Sequence, residues 1–370
     1  MKAELEVFIY FLKLGATGFG GPLSMISIMQ KDLVEDKKWI PPDEFAQALA
    51  LIKAMPGALA FQVAVFLGRR RAQFLGGSLA AFGLLFPSFL LMVILAQYYE
   101  LASQIEKFRS FFNGMQAASV VLMIQGLRSL MQPYFSNKKF WFCFLLGGII
   151  FYFDFCPEPL LILVAGFLGI LASKKSSLSA FLAMPMTLPL ELAPVFSFQK
   201  LNELIWVCFK SGAVVFGSGL AIVPLLEKDF VDRLHWLSSQ QFLDALALGQ
   251  VTPGPVLMTV TFIGFRVCGI AGAIGATLAV FLPAFIHMQT WFPKMVKVLS
   301  QKPWINDFLI PSLGVICGIL LVTIFKLTST WTESTLSLMT IVFLGSLISV
   351  LFKVPSWALI LCGGAAGLLM

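Results

Sequence analysis

Lys13-Leu-Gly-Ala-Thr-Gly-Phe-Gly-Gly-Pro22 returns 197 residues later as Lys210-Ser-Gly-Ala-Val-Val-Phe-Gly-Ser-Gly219. The repeat runs without a gap from Lys13–Arg69 to Lys210–Arg266, with 19 of 57 paired positions identical. The identities include residues that an apolar composition does not supply by itself: Asp32/Asp229, Trp39/Trp236, Pro56/Pro253 and Gly57/Gly254. The chain is a duplication. In so apolar a chain, two related halves point to a transporter whose site lies where they meet.

The 370 residues are 58% hydrophobic and 12% charged, with 37 Phe and a mean hydropathy of +0.89. Soluble domains carry roughly 25% charged residues, so this surface faces lipid. Phe74–Tyr99 and Ile270–Phe292 hold no charge, and each exceeds the roughly 20 residues of a spanning helix. The net charge of +7 reflects Lys and Arg in short loops, which set orientation, and gives no support to a nucleic-acid partner. The six Cys are scattered through apolar stretches with no C-x-x-C pair, and the two His stand apart from them. Neither a disulfide framework nor a metal site is expected. Glu4, Glu6 and Lys13 argue against a cleavable signal at the N-terminus.

Apolar segments fall at about 5–30, 43–68, 74–98, 111–130, 140–155 and 158–173, then at 202–226, 242–265, 270–291, 307–327, 334–352 and 355–370. The organisation is a first repeat (1–173), a Pro-rich linker (174–201) and a second repeat (202–370). Two segments per half are broken. The first carries the Gly cluster, and the second carries Met55-Pro56-Gly57 or Thr252-Pro253-Gly254-Pro255. Gly costs about 1 kcal/mol and Pro about 3 in a helix interior. Broken backbone at membrane depth is tolerated only inside protein or around a water-filled cavity. Gly also permits close helix packing, but clustered Gly and Pro at matched places favour a binding site.

Loop charges decide how the second segment runs. If it crosses, loop Lys and Arg divide about 11 to 11 between the two faces. If it enters and turns back at Pro-Gly, about 16 fall on one face and about six on the other. The re-entrant reading obeys the positive-inside rule. It leaves five spans per half, and an odd number inverts the second half. The expected fold is an all-α polytopic membrane protein, an inverted repeat of two homologous halves with about ten transmembrane helices and two re-entrant broken hairpins.

Candidate substrate contacts cluster at the breaks. Lys13 and Lys210 occupy one repeated place inside apolar runs. A central Lys costs about 2.5–3.5 kcal/mol on insertion scales and is a functional candidate unless it snorkels to the interface. Half-helices restarting after the breaks at Gly20, Gly21, Pro56, Gly57, Gly217, Ser218, Gly219, Pro253, Gly254 and Pro255 would aim free N–H groups at an anion. Gln62, Gln250 and Thr252 add amide or hydroxyl contacts, as do Ser24, Thr259 and Thr261. Lys53 stands where the second half has Gln250, so the halves differ in charge. Asp32/Asp229 and Arg69/Arg266 flank the unit as candidates for gating or for fixing helix ends. No nucleophile–base constellation, zinc motif or phosphate loop occurs. That leaves no ground for an enzyme or for ATP-driven transport by this chain.

Phe11-Leu-Lys-Leu-Gly-Ala-Thr-Gly-Phe-Gly-Gly-Pro22, Trp39, Met55-Pro-Gly57, Ala247-Leu-Gly-Gln-Val-Thr-Pro-Gly-Pro-Val256, Thr261-Phe-Ile-Gly264 and Phe281-Leu-Pro283 resemble the long, duplicated form of the chromate transporter family. The first half departs from the pattern at Met25-Ile26, at Lys53 in place of Gln, and at Pro-Gly-Ala in place of Pro-Gly-Pro. The resemblance implies a multi-pass protein of the plasma membrane, with chromate or a sulfate-like oxyanion as substrate and the proton motive force as drive. Its implied partners are the small anion, protons and the lipid bilayer. No cofactor is implied, and a homodimer is among the assemblies left open. An uncoupled anion channel and a lipid-handling membrane protein are the rival classes.

Overall fold

The computed structural model describes residues 2–19, 21–53, 55–172, 199–215, 219–293, 304–329, 331, 335–351 and 354–369. Fourteen α-helices carry the described residues. The first half has α1 (Lys2–Thr17), α2 (Gly21–Met29), α3 (Pro42–Ile52), α4 (Leu59–Ser103), α5 (Glu106–Met131), α6 (Lys138–Tyr152) and α7 (Glu158–Leu171). The second has α8 (Gln199–Val214), α9 (Val223–Glu227), α10 (Ser239–Val251), α11 (Thr259–Gln289), α12 (Trp304–Ser329), α13 (Thr335–Leu351) and α14 (Ser356–Gly367). The helix starts are written locally: Pro leads α3, α7 and α9 at their first turns, Asn137 caps α6, and Ser238 with Gln241 forms a capping box on α10.

α4 and α11 are hairpins, not rods. Ala72 (φ −141°, ψ 39°) and Gln73 (φ 51°, ψ −146°) reverse α4; Cys268 (φ −138°, ψ 25°) and Gly269 (φ 61°, ψ −150°) reverse α11. Gly68 consequently packs on Gly76, and Gly264 on Gly272, pairs that a straight helix would hold about 12 Å apart. The turn residues and the packing glycines lie 196 apart, whereas the breaks Gly57 and Gly254 lie 197 apart. One residue is lost in the second half between break and turn. There Val256–Met258 is a 3₁₀ turn, which rises further per residue than an α-helix. The structural partner of Arg266 is accordingly Arg70, not Arg69.

The Pro-Gly segments re-enter. Tyr99 touches Asp244, before the second break, and Phe262, after it. Were the helix to continue through the break, those two residues would lie about 27 Å apart along it. At the opposite surface Glu6 pairs with both Lys37 (3.0 Å) and Arg71 (2.9 Å), and Glu44 with Arg70 (2.7 Å). The start of α1, the loop before α3 and the turn of α4 share this first face.

One element departs from expectation. The segments at 5–30 and 202–226 were expected to span. Instead α1 turns back at the Gly cluster, so that Tyr10 donates to Asp32 (3.0 Å) and Glu6 reaches Lys37. The second half repeats this, with Glu203 paired to Arg233 (3.2 Å). Gly21 (φ 79°) supplies a left-handed conformation that lets the chain reverse rather than merely loosen. Each half opens with two broken hairpins side by side.

The halves are inverted. The second arm of α4, 74–103, leaves the first face and ends at Glu100, which pairs with Arg266 (2.7 Å) beside the turn of α11. The second arm of α11, 270–289, runs back and ends at Gln289, which accepts from Arg69 (3.0 Å). The helices are also exchanged across the pseudo-dyad. α6 and α7 pack on α12, whereas α13 and α14 pack on α5. Close approach rests on small residues, with Gly147 against Val315, Gly148 against Gly318, and Gly114 against Gly363 and Gly367. At the second face Lys228 ties Asp154 (2.5 Å) and Glu158 (2.8 Å) of the first half to α9. The hydrogen bond from Lys228 also holds the exposed Asp154 carboxyl below its ordinary range. α7 ends at the first face and α8 begins at the second; most of the expected linker lies outside the described residues.

Two outcomes are expected. Single cysteines at Lys38 and Arg71, in a Cys-free background, should react with an impermeant thiol reagent from one and the same side, and a cysteine at Glu100 from the other; labelling of positions 38 and 71 from opposite sides would contradict the re-entrant hairpin. Gln73 adopts a conformation that only glycine takes without strain, so Gln73→Gly should raise unfolding stability by about 1–3 kcal/mol, read as a higher thermal midpoint in detergent.

Candidate functional site

The four breaks meet at the centre of the fold and hold one another. The Gly57 N–H donates to the Val215 carbonyl (2.6 Å), and the Gly254 N–H donates to the Gly18 carbonyl (2.9 Å). Residues 18 and 215, like 57 and 254, are partners in the repeat. Each half's Pro-Gly break is thus closed by the unwound end of the other half's first helix. Gly57 (φ 129°) and Gly254 (φ 99°) both need the left-handed region. The space beside each is filled. A Cβ on Gly254 would strike Ser88 Oγ, and one on Gly57 would meet the Gln62 side chain (2.6 Å) and the Ala284 methyl (2.7 Å). Ser88 and Ala284 each follow an in-helix proline, Pro87 and Pro283. Ser88 also donates to the Pro253 carbonyl (2.6 Å). These glycines therefore serve the docking of the halves, and their N–H groups are not available to a ligand.

A cavity of about 460 Å³ opens beside this knot. It is lined at the breaks by Gly18, Gly21, Lys53, Gln250, Thr252 and Gly254, and by Gln125, Ser129 and Tyr134 of α5 and its following turn. α5 ends at the first face, so the lining runs from the knot to that side. Lys53 caps the C-terminus of α3 and is exposed to the cavity. It is the one charged residue among the described lining residues, which include no carboxylate. Gln250 is 7% exposed, and neither its amide nitrogen nor its oxygen has a protein partner. A buried amide left unpaired costs roughly 1–3 kcal/mol, a cost that a polar ligand or water in the cavity would remove. α2 begins at Gly21, where a Cβ would meet nothing within 4 Å, and the N–H groups of its first turn have no intrahelical carbonyl. A cation, an unpaired amide and a helix N-terminus together suit an anion. The volume equals that of about 15 water molecules, so a small ion would keep part of its hydration.

The other sequence-derived candidates separate from this cavity. Lys13 is exposed on α1 and does not line it. Lys210 pairs with Asp229 (2.8 Å), which Arg233 also engages (2.8 Å), so its charge is spent within its own hairpin. The counterpart Asp32 is held by Tyr10. Gln62 donates to the Pro56 carbonyl (2.6 Å) and leaves its buried oxygen unpaired behind the knot. Gly219 packs on Leu257, and Pro255 caps the 3₁₀ turn. Thr259 and Thr261 bond to Val256 O and Thr277. Gly20, Gly217 and Ser218 lie outside the described residues. Sequence reasoning missed Ser88, Gln125, Ser129 and Tyr134. The signal for Ser88 was a proline at matched places in two apolar helices; Gln125 and Ser129 are polar at i and i+4 in α5, a weak pattern on its own.

The packing of Gly254 sets a test. Gly254→Ala should lower stability by about 1–3 kcal/mol through overpacking. Ser88→Gly in the same chain should recover part of that loss, as read in a double-mutant cycle of thermal unfolding. Additive effects would mean that the two residues do not touch.

The chromate transporter family profile matches residues 5–170 and 202–368, nearly all of both halves. A probable chromate transport protein of Synechococcus elongatus is 34% identical over 85% of this chain and 82% of its own length. A chromate transport protein of Cupriavidus metallidurans is 32% identical over 86% and 82%, and one of Pseudomonas aeruginosa is 30% identical over 80% and 74%. No solved structure matches the chain significantly. The duplicated, inverted, break-centred chain described above belongs to the chromate transporter family.

Proposed function

We propose that the chain is a multi-pass secondary transporter of the plasma membrane that carries a tetrahedral inorganic oxyanion, chromate, across the bilayer under the proton motive force. The observation that carries this reading is the cavity at the crossed breaks, with Lys53 as its charge, Gln250 as its unpaired amide and no carboxylate among the described lining residues. The names of the relatives supply the ion. A dianion taken from water would lose part of its hydration, and Lys53, Gln250 and the first turn of α2 are the groups that would replace it. The first face carries Lys31, Lys37, Lys38, Arg69, Arg70, Arg71, Arg128, Lys138 and Lys139, which makes it cytoplasmic by the positive-inside rule. On that orientation the cavity loads from the cytoplasm. Sulfate has the same shape and charge and is the second ion to assay.

Proteoliposomes loaded with chromate or sulfate, with and without a pH gradient, test the reading. Lys53→Met should weaken chromate binding by about tenfold, the loss of one charge-assisted hydrogen bond of ~1.5 kcal/mol. The loop variant Lys138→Met should match the parent. Unaltered binding in Lys53→Met, with normal folding, would move the anion site elsewhere. Flux that ignores the pH gradient would favour a channel.

A further inference from the structure

Asp244 is a carboxylate at membrane depth that the anion site does not use. It lies on α10, is 3% exposed, and is held by two neutral donors: Tyr99 O–H to Oδ2 at 2.5 Å and Gln116 Nε2 to Oδ1 at 2.8 Å. Tyr99 and Gln116 are themselves buried. The charged neighbours are accounted for element by element. From α4 comes Glu100, next to Tyr99. From α11 comes Arg266, whose guanidinium lies 5.5 Å over the Tyr99 ring and pairs with Glu100 (2.7 Å). On α5 the charged residues Glu106, Lys107 and Arg109 lie about two turns or more back from Gln116 toward the second face, and Arg128 lies about three turns on toward the first. α14 presents none, and α10 has no other.

Ionisable residues inside a membrane protein are costly and mark ion or proton pathways. A purely structural network would not need the acid here. The matching place in the first half is Gln47, which is exposed. The network also tolerates both states of the carboxyl. The tyrosine hydroxyl can donate or accept, and a side-chain amide offers either end. Among the described residues no cation touches Asp244 to lock it ionised, because Arg266 is committed to Glu100.

The position links two routes. Glu100 is 65% exposed at the second face and adjoins Tyr99, so protons reach this cluster from the side opposite to the anion cavity. Six residues further along α10 stands Gln250 in that cavity, about 9 Å away along the helix. Resting on the transport reading, we propose that Asp244 is the proton-binding carboxylate of this carrier, loaded from the second face through Glu100 and Tyr99, and that α10 couples its protonation to the anion held at Gln250. The step is proton binding and release alone: the proton passes from water to the Asp244 carboxylate and back, and no other bond changes. Asp244 is a coupling residue here and does not contact the anion.

The test compares wild type, Asp244→Asn and Asp244→Glu in proteoliposomes and by infrared difference spectroscopy on pH titration. Asp244→Asn should still bind chromate but lose acceleration of transport by a pH gradient. It should also lose a carboxylic-acid C=O band that wild type gains as pH falls, and Asp244→Glu should restore both. Gradient-driven transport by Asp244→Asn at the wild-type rate, or an unchanged infrared band, would overturn the proposal. If Asp244→Asn does not fold, Tyr99→Phe takes its place. Loss of its hydrogen bond should shift the pH midpoint of the band, and an unshifted midpoint would be equally fatal. If wild type moves neither chromate nor sulfate, the function reading fails, while the infrared band, recorded without substrate, still decides for or against Asp244.

Discussion

Two reciprocal backbone hydrogen bonds, Gly57 to Val215 and Gly254 to Gly18, are the constraint around which this protein is built. A helix interrupted at membrane depth leaves N–H and C=O groups that lipid cannot satisfy, at several kcal/mol each. This chain interrupts itself four times. It resolves the problem by exchange, each half closing the other's break. The exchange requires that the halves face one another in opposite senses, that the breaks lie at one depth, and that nothing bulkier than hydrogen sits on Gly57 and Gly254. The crossing of α4 with α11 brings Ser88 and Ala284 against those two glycines.

A symmetric scaffold then carries an asymmetric site. The hairpin turns, the prolines Pro87 and Pro283 and the crossed bonds obey the pseudo-dyad. The candidate site side chains do not. Lys53 faces the cavity where its partner Gln250 stands unpaired, and buried Asp244 corresponds to exposed Gln47. Duplication supplied two equal breaks, and divergence made one side cationic and placed an acid behind the other.

Much of the scaffold was legible in the sequence, because the relevant signals are local. Gly and Pro at matched places located the breaks, and the loop charges identified the re-entrant second segment. The first segment was misread because apolar length cannot tell a span from a hairpin whose two arms are equally apolar; the contacts of Tyr10 with Asp32 and of Glu6 with Lys37 separate them. The ungapped alignment likewise hid the residue absorbed by the 3₁₀ turn at Val256–Met258. Of the residues that line the cavity, Lys53, Gln250, Thr252, Gly21 and Gly254 were named as candidates from their proximity to the breaks. The paired lysines drew attention for their cost in lipid, yet Lys210 is offset by Asp229 in its own hairpin, a contact about twenty residues distant in sequence. Ser88 and Asp244 depend on contacts between halves more than a hundred residues apart, which no single-sequence pattern encodes.

The most direct test of this account is a cryo-electron microscopy map of the protein in lipid nanodiscs with tungstate, an electron-dense tetrahedral dianion. The account predicts one strong density in the cavity beside the crossed breaks, within hydrogen-bond reach of Lys53 Nζ and the Gln250 amide. Tungstate density at Lys13 or Lys210, with the cavity free of the ion, would contradict it.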